Sequence, residues 1–357
     1  MQSKERDSNF ELLRIYSMVL ITANHIVNLG VLAKAPGQQT IPWLSGGTVN
    51  KMLAAIFTSC GRVGVAVFFM ISGYFLIKRD TISVKSFWNM LAKVHFYGLT
   101  MFLVFCAVHA ATGYSDRAHL KQAFRQSVFL PVTLWWFASS YLVLLVISPW
   151  LNAVVQQMKR KWLLFPILLF IWYFFYQNGT SLAYYNIVRA LFFYLIGAVI
   201  RLWEDRIPRA GVLYAVLSLA AWAACTAVSD IGLKVSNKLM ADPGRIFIWN
   251  RTQVTNGFLI PARAIFIFLF FRCLKIKWRP INWLAGCTFG IYLSHTYPYL
   301  RNFLIFDLLK TDKVFLKGSF PVWLAVDVIA IFCAGVFFEQ LFSVCAGFVG
   351  RAMQKSG

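Results

Sequence analysis

The chain has 357 residues, of which 59% are hydrophobic and only 13% charged, roughly half the charged share of an ordinary soluble domain. No stretch is polar enough to fold as a soluble domain, so residues 1–357 are read as a single integral-membrane domain. The net charge of +22 would point to nucleic acid in a soluble protein, but here most lysines and arginines stand in short clusters between apolar runs. That is the signature of membrane topology, so nucleic acid is not an expected partner.

Ten membrane helices are expected, at 11–31, 52–77, 87–112, 134–155, 162–177, 184–203, 211–229, 254–273, 282–300 and 320–342. The fold class is therefore all-α, polytopic, with no soluble domain. The first run carries Arg14, is too long for a signal-peptide core and lacks a small-x-small cleavage site, so it is expected to stay as a membrane helix. The second run is long and the fifth short, which predicts tilt or an interfacial portion. Trp135 and Trp136 open the fourth span as an interfacial aromatic pair.

Charge sets the orientation. Lys4 and Arg6, then Lys78, Arg79 and Lys85, then Lys159, Arg160 and Lys161 fall on one side in very short segments. Arg201, Arg206, Arg209, Arg272, Lys275, Lys277 and Arg279 continue that side, which is expected to be cytoplasmic together with both termini. Basic residues on the opposite side are spread over the longer loops 113–133, 230–253 and 301–319.

Ionisable side chains inside apolar spans are costly and mark cavities, pairs or pathways. The first span holds Arg14 and His25, which return to within about 20° of one helix face and stand about 16 Å apart along the axis. A permanent cation thus sits near the cytoplasmic end and a titratable imidazole near the exterior. Arg62 lies in the second span, Lys93 and His95 in the third, Arg189 in the sixth, Arg263 in the eighth, His295 in the ninth, and Asp327 and Glu339 in the tenth.

Plain structural readings stand beside these. Arg14 could pair with Glu11 one turn earlier, and His25 could bond Asn24, Asn28 or a backbone carbonyl. Lys93, His95 and Glu339 are expected to reach the interface, and Arg62 or Arg263 to pair with Asp327. Basic groups outnumber acidic ones, which suits an anionic ligand such as a phosphorylated cofactor.

The seven cysteines form no Cys-x-x-Cys, and the five histidines have no carboxylate at metal-ligand spacing, so no disulfide framework or metal is expected. There is no Gly-x-Ser-x-Gly elbow, P-loop or His-Glu-x-x-His. On the residues alone four readings remain open. They are an enzyme built on Arg14 and His25, a flippase or other transporter of lipid-linked sugars, a glycan polymerase, and a non-catalytic membrane scaffold.

Four motifs in order narrow the choice: Arg14-x10-His25; Gly61-Arg62-Val63-Gly64 running to Phe68-Phe69-Met70-Ile71-Ser72-Gly73-Tyr74; Ile147-Ser148-Pro149-Trp150-Leu151-Asn152; and Phe289-Gly290-Ile291-Tyr292-Leu293-Ser294-His295. As an ordered set they resemble the acyltransferase-3 family over essentially the whole chain. The resemblance implies a ten-helix enzyme of the bacterial cytoplasmic membrane that moves an acyl group, usually acetyl, from acyl-CoA to a hydroxyl. The acceptor would be a surface polysaccharide or its lipid-linked precursor. Arg14 and His25 match the family's essential pair.

On that reading His25 is the base or nucleophile, Arg14, Arg62 and Lys93 hold acyl-CoA, and Arg263 and His295 are candidates for the acceptor or the oxyanion. The co-substrate would be acetyl-CoA or another acyl-CoA, and no metal is implied.

Overall fold

The computed structural model describes residues 8–158 apart from 35 and 39, the single positions 164, 167 and 168, and the stretches 183–239 and 259–355. Lys4, Arg6, the Lys159–Lys161 cluster, residues 254–258 of the eighth expected span and the loop from 240 to 253 lie outside the described residues. So does the fifth expected span, 162–177, but for the three single positions.

Among the described residues every regular element is helical. In chain order they are α1 Asn9–Gly30, α2 Thr48–Thr58, α3 Cys60–Leu76, α4 Val84–Thr112, α5 Arg117–Phe129, α6 Trp136–Gln157 and α7 Ala183–Leu202. Then follow α8 Gly211–Leu239, α9 Leu259–Cys273, α10 Arg279–His295, the short α11 Pro298–Asn302 and α12 Thr311–Val314, and α13 Phe320–Lys355. Five runs among them, Asn9–Gly30, Thr48–Leu76, Val84–Thr112, Trp136–Gln157 and Phe320–Phe348, are long and apolar enough to cross a bilayer. The chain is an all-α membrane protein.

Local chemistry sets several of these boundaries. The Ser83 hydroxyl accepts the Ser86 amide at 3.3 Å to open α4, which stops at Gly113 with φ of 69°. Asp116 accepts the His119 amide at 2.8 Å and starts α5 inside what reads from sequence as a plain loop. The second expected span is two helices, broken at Ser59 between α2 and α3. Of the aromatic pair, Trp135 is buried against the Tyr297 ring at 6.1 Å and Trp136 is exposed.

The centre is α1, enclosed by α3, α9 and α10. Asn24 lies against Gly61 and Phe10 against Tyr74, so α3 runs antiparallel to α1. The Trp278 amide meets the Ser8 hydroxyl at 3.0 Å at one end of α10, and His295 meets His25 at the other, so α10 runs parallel to α1. α13 returns antiparallel along α10, with Gly335 against Ile291 and Gln340 beside Cys287.

Two devices lock the outer ring to this core. Gly73 and Gly197 face each other where α3 crosses α7, and a Cβ on Gly197 would stand 2.0 Å from the Met70 carbonyl oxygen. Small residues let two backbones approach this closely where hydrocarbon supplies no hydrophobic drive between helices. Asn152, within the Ser-Pro-Trp-Leu-Asn motif, donates to the Leu76 and Arg79 carbonyls at 2.7 and 2.8 Å and accepts from the Tyr194 hydroxyl at 2.6 Å. The Leu76 carbonyl stands at the end of α3 and also accepts the Arg79 amide at 2.8 Å, and the Arg79 carbonyl lies three residues beyond the helix.

Asn152→Ala removes these bonds and takes from the buried Tyr194 hydroxyl its Asn152 acceptor, and a buried polar group left unsatisfied costs about 1–3 kcal/mol. The variant should therefore melt below wild type in detergent. An unchanged melting temperature would show that the clamp is redundant.

Candidate functional site

Arg14, Met18, Ile21 and His25 follow the i, i+4, i+7, i+11 spacing of one helical stripe on α1. Arg14, Met18 and Ile21 line a cavity of about 370 Å³. Its other walls come from α3 (Val65, Phe68, Ile71, Ser72), α4 (Asn89, Met90, Lys93), α6 (Phe137, Tyr141) and α10 (Ala285, Gly286, Thr288, Phe289, Tyr292). Ile21 and Tyr292 are its lining residues nearest in sequence to the two histidines, each about one turn before His25 and His295, which do not themselves line it.

Its cations are already matched. Arg14 donates to Glu11 at 2.8 Å, with the arginine side chain 31% exposed and the carboxylate 6%. Lys93 and Glu339 do not reach an interface as the sequence suggests. They pair with each other at 2.5 Å, at 16% and 9% exposure, and the Tyr97 hydroxyl donates to the second carboxylate oxygen at 3.1 Å. A lone ammonium or carboxylate at this depth would carry a desolvation cost that only such a pair offsets. His95 likewise stays within its own helix, bonded to the Leu91 carbonyl at 2.8 Å. With both cations paired, the lining is apolar with scattered neutral polar groups (Ser72, Asn89, Thr288, Tyr141), the make-up of a site for an uncharged, partly polar ligand.

At the other end of the stripe, His25 Nδ1 lies 3.0 Å from His295 Nε2, and His295 Nδ1 lies 2.6 Å from the Ile291 carbonyl oxygen. The partners that the sequence offers for His25, Asn24 and Asn28, are not the ones it takes. Asn24 instead donates to the Phe57 and Thr58 carbonyls at 2.8 and 2.7 Å. These carbonyls are freed by the break at Ser59, and Gly61 makes room, since a Cβ there would stand 2.2 Å from Asn24 Oδ1. The broken helix thus grips α1 at the residue next to His25.

The remaining candidates sit elsewhere. Arg263 is fully buried against the helix break, 3.5 Å from the Ser59 hydroxyl, 3.6 Å from Cys60 Sγ and 4.3 Å over the Trp222 ring. The expected pair of Arg263 with Asp327 is not what it makes, and neither Arg263 nor Arg62 lines the cavity. Arg62 is in the first turn of α3, beside Gly61 and hence at the His25 end rather than with Arg14.

Two contributors at this end carry no mark in the sequence. Arg301, on α11, is exposed and within electrostatic reach of His25, where the sequence shows only a loop charge. α5 covers the same end, through Ser127 to the Tyr297 hydroxyl at 2.8 Å and Gln126 to Tyr299 at 2.9 Å.

Glu339→Gln or Lys93→Met alone should destabilise by about 3–5 kcal/mol, because each leaves its partner's charge buried. The double variant should lie closer to wild type. Simple addition of the two single effects in chemical denaturation would show that the charges are not coupled.

A family profile described as an acyltransferase domain matches residues 7–339, nearly the whole chain. No curated protein and no solved structure matches the chain.

Proposed function

The chain belongs to the acyltransferase-3 family of membrane acyltransferases, and from that premise we propose that it moves an acyl group, by the family's pattern acetyl, from cytoplasmic acyl-CoA to a hydroxyl of a surface polysaccharide or its lipid-linked precursor. The observation that supports this reading is the cavity running along α1 from Arg14 toward His25. In this proposal ten spans put both termini in the cytoplasm of a bacterial cell, with Arg14 at the inner end and His25 toward the exterior.

The CoA phosphates stay at the cytoplasmic surface, among the exposed basic residues Lys78, Arg79 and Lys85. Arg14 guides the arm into the cavity, whose neutral polar lining suits the amides of pantetheine. The thioester is delivered about three turns further up, to His25. There an imidazole nitrogen of His25 takes the proton of the acceptor hydroxyl as its oxygen attacks the thioester carbonyl. The tetrahedral intermediate collapses with cleavage of the carbon–sulfur bond. The sulfur leaves with the proton held by His25, giving the ester and free CoA. A cytoplasmic donor is thereby used on an exterior acceptor without CoA crossing the membrane.

Three outcomes test this. Deleting the protein should remove an O-acyl ester from the source cell's surface glycan. Wild type, and not His25→Ala at equal membrane level, should restore it. Loss of the glycan itself with unchanged ester content would favour a transporter. Arg14→Lys should retain the charge but lose the guanidinium fork, raising KM for acyl-CoA by about tenfold or more; near-normal kinetics would reduce Arg14 to a charge. A cysteine placed at Asn28 should react with an impermeant thiol reagent only from outside the cell, and labelling from the cytoplasm alone would reverse the orientation.

A further inference from the structure

Sequence gives His295 no more than a place among the oxyanion candidates, yet both of its ring nitrogens are held by a contact. The Ile291 carbonyl can only accept, so the 2.6 Å contact places a hydrogen on His295 Nδ1. A neutral imidazole carries one N–H, so His295 Nε2 holds a lone pair. The 3.0 Å contact from that nitrogen to His25 Nδ1 then requires His25 to donate. The second nitrogen of His25, Nε2, is left bare.

We propose that His295 is a positioning residue that, anchored on the Ile291 carbonyl, holds His25 in the tautomer with its proton on Nδ1 and its lone pair on Nε2. This rests on the acyl-transfer reading above and deepens it, because it names the nitrogen that takes the acceptor's proton. When Nε2 receives that proton, His25 becomes an imidazolium whose Nδ1–H still points at a neutral acceptor. The positive charge that forms is met by an oriented lone pair, and no group has to turn. When the sulfur leaves, the proton passes from Nε2 to it and the starting tautomer is regenerated. Every proton is accounted for within His25, and His295 changes neither its protonation nor its partners. It therefore acts through His25 rather than on the substrate.

The reverse arrangement, with His295 donating Nε2–H to His25, would turn a bare His295 Nδ1 toward the Ile291 oxygen, lone pair against lone pair. It would also leave His25 Nε2 protonated and unable to act as a base. His295 is buried, so solvent does not step in to rescue its contact with the Ile291 carbonyl.

The test uses the full-length protein in lipid nanodiscs with ¹⁵N-labelled histidine, alongside turnover of acetyl-CoA and the acceptor glycan. Nitrogen spectra distinguish a protonated from a bare ring nitrogen, and His25→Ala assigns the signal. Wild type should show His25 with a protonated Nδ1 and a bare Nε2, and His295→Leu should lose that preference. His295→Leu should also lower kcat by about 100-fold or more, the scale of a general-base contribution, with KM for acetyl-CoA within about twofold. His295→Gln and His295→Glu both restore an acceptor near the lost Nε2 and should keep at least about a tenth of the wild-type kcat. Glutamate has no proton to give, so its activity also separates positioning from oxyanion donation.

A wild-type His25 protonated on Nε2 would overturn the proposal whatever the activity. So would equal loss in the Leu, Gln and Glu variants at equal thermal stability. A wild type with the stated tautomer but no acyl transfer would instead sink the enzymatic reading, and with it the catalytic meaning of the relay.

Discussion

Hydrocarbon offers no water to a polar side chain, so α1 can carry Glu11, Arg14, Asn24 and His25 only if neighbouring protein groups meet each of them. That requirement organises the rest of the bundle. Arg14 and Glu11 satisfy each other one turn apart, Asn24 is taken by the carbonyls at the end of α2, and His25 is taken by α10. α10 in turn needs α13 beside it, which sets Gly335 against Ile291 and brings Glu339 to Lys93. The packing around α1 follows from where its polar atoms find partners.

The break at Ser59 belongs to the same logic. An unbroken helix from Thr48 to Leu76 would bond its own carbonyls and leave Asn24 with nothing to donate to. Interrupting it frees Phe57 and Thr58 for Asn24 and opens a place for Arg263 against Ser59 and Cys60. Arg263 is thereby occupied in holding the break, with Trp222 over its guanidinium. A buried cation without a carboxylate in contact is costly, and the aromatic face together with the hydroxyl and thiol supply part of what water would.

How much of this the sequence shows depends on the range of the interaction. The helix period alone places Arg14 and His25 on one face, and the apolar runs foretell nearly every described helix, because both are local properties. The Arg14–Glu11 pair is readable for the same reason. Partners far along the chain are not readable. His25 and His295 are 270 positions apart, Lys93 and Glu339 are 246, and a linear reading sends the latter two to an interface because a lone charge usually goes there. α5 is missed because it is a polar helix, without the apolar stripe that flags a span, although Asp116 and the glycine before it mark its start. The Ser59 break is missed because hydropathy averages Thr58, Ser59, Gly61 and Arg62 into the apolar run around them, and it has no signal for a turn that a distant Asn24 stabilises.

The two ends of α1 solve the problem of polarity in different ways, and the difference suits their tasks. At the Arg14 end, charges are kept and cancelled pairwise, which leaves a cavity without net field for a neutral ligand arm. At the His25 end, the partner is a second imidazole rather than a carboxylate. A carboxylate there would orient His25 equally well, but in the proposed reaction it would place a permanent negative charge beside the carbon that becomes an oxyanion, in a medium that screens little. A neutral imidazole fixed by a backbone carbonyl sets the tautomer without that field. In the acyl transfer proposed above, the charge of the transition state favours histidine over aspartate at position 295.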